Sequence, residues 1–127
     1  MAAREFIGFL VLCSVSGCTA SADPTFKDPA ACAAAFEHFF ESGKGTPLAS
    51  DPRFPELKMR ALFEREKLER TTDAGDANAR VVEVRSKLTN NPAMASDLAT
   101  HCAAEEASTT DFDRERPRLR TKVASAS

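Results

Sequence analysis

The chain has 127 residues, of which 17 are basic and 19 acidic, giving a formal net charge of −2. That length suits a single domain, and the near-neutral balance excludes a general nucleic-acid binder, which would be strongly basic. There is no Trp and no Tyr, so the aromatic part of any core must come from Phe alone.

The N-terminus opens with Arg4 and the free amine, followed by an apolar run over residues 6–15. Such a run falls in the length range of a secretory signal and is well short of the ~20 residues needed to cross a bilayer. Small residues and a cysteine close it, in the order Val15-Ser16-Gly17-Cys18. This segment resembles the lipobox of bacterial lipoproteins. The resemblance implies removal of residues 1–17, diacylglyceryl transfer to the Cys18 sulfur and acylation of the new amine. It covers only the first 18 residues, and the remainder of the chain resembles no family.

One acyl chain binds a membrane marginally and reversibly, whereas two or more hold durably. The three chains of a lipoprotein therefore imply a permanent membrane anchor. Thr19 stands where inner-membrane lipoproteins carry an aspartate, so the resemblance implies an outer-membrane address facing the periplasm. A competing site, Ala20-Ser21-Ala22, fits the A-x-A rule and would release a soluble periplasmic or secreted protein beginning at Asp23.

Cysteine parity follows from export. Cys13 leaves with the signal and Cys18 is lipidated or removed, so Cys32 and Cys102 remain as an even pair in an oxidising compartment. A disulfide between them is expected, worth about 4 kcal/mol in the chain-entropy account of so long a loop.

After a polar tether over residues 18–27, Asp28-Pro29 supplies a cap and a first-turn proline. Helix one is predicted over residues 29–42, with Cys32, Phe36, Phe39 and Phe40 on one stripe. Gly43 and Gly45 end it, and a proline-containing loop leads to Pro55. The second helix is predicted over residues 55–71 with Leu57, Ala61, Leu62 and Leu68 on a stripe and Phe63 beside it. Glu56/Arg60 and Glu66/Arg70 are expected as i,i+4 ion pairs.

A third helix over residues 74–88 carries Ala77, Val81, Val84 and Leu88. Whether it continues the second as one kinked helix is open, because Gly75 costs only ~1 kcal/mol inside a helix. Asn91-Pro92 repeats the cap-plus-proline signal, and a fourth helix over residues 92–106 carries Met94, Leu98 and Cys102. Both cysteines then lie on apolar stripes of the first and last helices. The predicted fold is an all-α bundle of three or four helices, spanning residues 28–106 and clipped by one disulfide. Residues 107–127 read as a disordered tail lacking apolar periodicity.

Chemistry-bearing constellations are sparse. Cys32, His38, His101 and Cys102 suggest a metal site, but six residues along a helix turn through about 240° and one residue through about 100°, so neither pair converges on an ion. His101 and Glu105 form an i,i+4 pair, a candidate acid–base couple whose plainer reading is a solvated helix pair, and Glu37 with Glu41 reads as an exposed acidic face. Neither a phosphate loop nor a nucleophile motif occurs. In the tail, Arg114, Arg116, Arg118, Arg120 and Lys122 are candidate contacts for an anionic surface, with a merely solubilising tail as the plainer reading.

The expectation is a non-enzymatic, lipid-anchored envelope protein that binds or scaffolds an unidentified protein partner. It would have no cofactor, no metal, no catalytic residue and no nucleic-acid partner. An inhibitor or immunity-type protein that occludes a toxin or hydrolase is the alternative.

Overall fold

The computed structural model describes residues 24–126, which fold into an all-α bundle. Five helices follow in order: α1 (Pro29–Gly43), α2 (Phe54–Glu69), α3 (Ala74–Thr89), α4 (Pro92–Ala107) and α5 (Asp111–Ser125). A 3₁₀ turn at Pro47–Ser50 interrupts the first loop. The predicted signal segment 1–17, Cys18 and both cleavage sites lie outside the described residues. Among the described residues, no helix is long and apolar enough to cross a membrane.

The caps act as their side chains require. Asp28 accepts from the Ala30 amide at 2.9 Å, Asp73 from Asp76 at 2.8 Å and Asn91 from Met94 at 3.2 Å. Each satisfies an amide that the first helical turn cannot. The Asp73 cap also settles the α2–α3 junction: these are two helices, and Gly75 sits inside the first turn of the second.

α1 is the spine of the bundle, packed against α2, α3 and α4. Ala30, Ala31, Ala33, Ala34 and Ala35 are all fully buried. A helix of small side chains admits close neighbours on every side, and one buried all round needs no polar face. On one side the alanines meet Val81, Val84 and Leu88 of α3 with Ala95 and Leu98 of α4. On the other, Cys32 and Phe36 meet Ala61 and Cys102. Where α1 ends, Gly43 lies against the Phe54 ring so closely that a Cβ would sit 2.6 Å from it.

Cys32 and Cys102 are bonded, with their Cα atoms 5.6 Å apart at a sequence separation of 70. The bridge joins the first turn of α1 to the third turn of α4, closing the four-helix core.

Two sequence expectations are corrected. The tether does not run to residue 27: Phe26 packs against the core near Cys32 and Ala99 and stacks on His101 at 5.2 Å. Nor is the C-terminal segment disordered, because residues 111–125 form α5 and dock chiefly on α2. The reason is an interrupted stripe. Phe112, Leu119 and Val123 lie at i, i+7 and i+11, and Arg116 occupies the i+4 position between them. Its guanidinium lies 4.9 Å from the Phe112 ring centre, so its stem and planar head fill the gap.

α5 meets a second apolar face of α2, formed by Met59 and Phe63 with Leu62 alongside. Pro117 within α5 forfeits one helical hydrogen bond. Acids in the first turn and three i,i+3 pairs, Arg114–Asp111, Arg116–Asp113 and Arg118–Glu115, help to offset that cost.

Candidate functional site

The described residues offer two places where chemistry gathers. The first is a charged network threaded between α2, α4 and α5. Glu106 continues the buried stripe of α4 one turn beyond Cys102, and its side chain is 1% exposed. It accepts from Arg60 of α2 through Oε1, while Oε2 is buried with no donor facing it. Glu64, one turn along α2 from Arg60 and also buried, faces the same carboxyl group.

Protonation of the Glu106 carboxyl would relieve the arrangement, since a carboxylic acid can donate to a neighbouring carboxyl group but two carboxylates cannot bond each other. Burial first, then the Glu64 carboxyl, pushes the Glu106 group up to about 9, against the opposing pull of Arg60. Lys67 closes the far side at 3.2 Å from Glu64.

The same network grips α5. The guanidinium groups of Arg60, at 4.7 Å, and Arg116, at 4.9 Å, both lie over the Phe112 ring. Phe63 meets it edge-on with ring centres 5.4 Å apart. Glu56 receives both Arg60 and Arg116. Farther along, Glu66 takes Arg118 at 2.7 Å and Lys122 at 2.9 Å. With Arg118 chief among the causes, the Glu66 carboxyl is held down at about 2.

Glu64 and Glu106 line none of the principal cavities among the described residues. A sealed acid pair binds helices together and makes their stability depend on pH. The sign follows from the raised group. Its favourable contribution is full below the unfolded value near 4.5 and drains as pH climbs toward 9.

Glu106→Gln keeps the shape, donating to Glu64 through its amide and accepting from Arg60 through its carbonyl. We expect the parent protein to lose melting temperature from pH 5 to pH 9 and the variant to lose distinctly less. At pH 8 the variant should be more stable by roughly 1–3 kcal/mol. Parallel melting curves across that range would show that the pair is not proton-linked.

The second place is a groove of about 400 Å³ between α1, α2 and the end of α5. Phe40, Ala61, Leu62 and Val123 supply apolar lining, and Glu37, Glu41, Lys58, Arg65 and Lys122 supply the charges. Arg65 reaches Glu37 through two bonds of 2.8 and 3.1 Å. Arg85 joins the same carboxylate at 3.4 Å.

Several residues take roles other than those their sequence positions suggest. Glu37 is no exposed acid but a half-buried clamp across α1, α2 and α3. Glu56 pairs with Arg60 as expected, at 3.4 Å, whereas Glu66 turns to α5 and not to Arg70. His101 is turned away from an acid–base role with Glu105: its Nδ1 lies 2.8 Å from the Asp97 carbonyl as its ring stacks on Phe26.

Of the five basic residues proposed for an anionic surface, Arg116, Arg118 and Lys122 are engaged by acids of α2. Arg114 is engaged by Asp111, and Arg120 points to solvent. Cys32 and Cys102 spend their sulfurs on each other. Among the described residues no group of three or more His, Cys, Asp or Glu side chains could hold a metal. His38 meets the edge of Phe39 at 5.1 Å.

Sequence signals for the acid pair existed. Glu106 falls four residues after Cys102 on the α4 stripe, and Glu64 follows Phe63 on the second apolar face of α2. Comparison with family models, with curated proteins and with solved structures returned no match.

Proposed function

We propose that the chain is a lipid-anchored protein of a bacterial cell envelope, held through Cys18, whose helical domain acts by binding and not by catalysis. The observation that carries this reading is the Cys32–Cys102 disulfide. Structural disulfides belong to oxidising compartments, and export through a lipobox-type signal delivers the chain to one. It also accounts for all four cysteines: one discarded, one acylated, two bridged. The sealing of the Glu64–Glu106 pair away from the cavities favours binding over chemistry, since a catalytic acid has to reach its substrate.

Intact-mass analysis of the membrane fraction tests the reading. We expect a species of residues 18–127 bearing three acyl chains, and its loss on Cys18→Ser. A soluble species beginning at Asp23 in the unmodified protein would replace this reading with a secreted one.

A further inference from the structure

We propose that the groove between α1, α2 and α5 binds a single-chain amphiphile with an anionic headgroup, its head at Lys58 and its tail along Phe40, Leu62 and Val123. A volume of about 400 Å³ lies in the usual range for sites that take small organic ligands. Its apolar residues form one continuous strip: Ala61 is buried, while Phe40, Leu62 and Val123 remain half-exposed. Phe40 is held in place by stacking on Phe54 at 4.7 Å.

The charges around that strip decide the head. Glu37 is neutralised by Arg65 and Arg85, Glu41 by Lys44 at 3.1 Å, and Lys122 by Glu66. Lys58 differs. Its ammonium lies 5.0 Å above the Phe40 ring centre, and no carboxylate among the described residues comes within ion-pair distance. Lys58 instead shares the Glu41 carboxylate at longer range with Lys44 and Arg85, so Glu37 and Glu41 face the four cations Lys44, Lys58, Arg65 and Arg85, and a carboxylate or phosphate at the end of an aliphatic chain would offset that positive excess beside Lys58. A cationic amphiphile would meet Lys58 and Lys44 together at the Phe40 ring.

The inference concerns the helical domain alone and does not depend on the Cys18 anchor. Calorimetric titration suits a chain without Trp or Tyr. The probes are dodecanoate, methyl dodecanoate and dodecyltrimethylammonium, each kept below its micellar concentration. The protein is the full chain carrying Cys18→Ser, so that no acyl group of its own competes. We expect one dodecanoate per chain and much weaker binding of the other two probes. Lys58→Ala should weaken dodecanoate about tenfold or more, leave the ester unchanged, and melt at the parent temperature because Lys58 is exposed. Lys27→Ala, a second exposed cation, should change nothing. Absence of stoichiometric dodecanoate binding would overturn the proposal. So would binding indifferent to Lys58 or to the sign of the head.

Discussion

Reduction of Cys32–Cys102 should lower the melting temperature by roughly 15–30 °C, the largest single effect available in this fold. The bond closes a span of 70 residues. Opening it returns about 4 kcal/mol of chain entropy to the unfolded state, and each kcal/mol moves a domain of this size by several degrees. The core has few large side chains to resist that loss, because its central helix contributes chiefly alanine. A Cys32→Ala, Cys102→Ala double variant should reproduce the effect without reductant, and α5, outside the loop, should stay docked on α2 until the core melts. A fall below about 5 °C would mean that alanine packing alone holds α1 to α4.

Phe112→Ala should free α5 while leaving the four-helix core intact. Truncating a buried Phe costs about 3–5 kcal/mol, and here it also removes the ring that Arg60 and Arg116 stack upon. Leu119 is the only other fully buried side chain of α5. The expected signature is rapid tryptic cleavage after Arg114, Arg118 and Arg120, with loss of about one helix of circular dichroism and retention of a core transition. Arg120→Ala, on the solvent side, is the control. Unchanged protection of α5 would show that its ion pairs, not its aromatic anchor, hold it.

These two results bear on what the sequence revealed. Helices α1 and α4 were legible because Asp28-Pro29 and Asn91-Pro92 combine a side-chain cap with a proline that needs no amide partner. Parity and stripe position were enough to expect the bridge. α5 was hidden because an arginine substitutes for an apolar residue at i+4 of Phe112 and a proline follows it. Its binding surface was hidden as well: Met59 and Phe63 lie off the first stripe of α2, and only a helix buried on two faces needs them. Alanine carries no hydrophobic contrast, so nothing in the periodicity marked α1 as central. The acid pair is hard to read from sequence because charge on a helix ordinarily means solvent, and only the continuation of a stripe through Glu106 signals otherwise.

If the chain is anchored at Cys18 as proposed, the docking of Phe26 has a mechanical consequence. With residues 24–27 belonging to the domain, the covalent length left between such an anchor and Pro24 would be at most about 20 Å. A link so short would make the membrane a neighbour. It would hold the end of the bundle bearing Phe26, His101 and the disulfide toward the lipid, and restrict the domain's search to what lies within its own diameter of the bilayer surface.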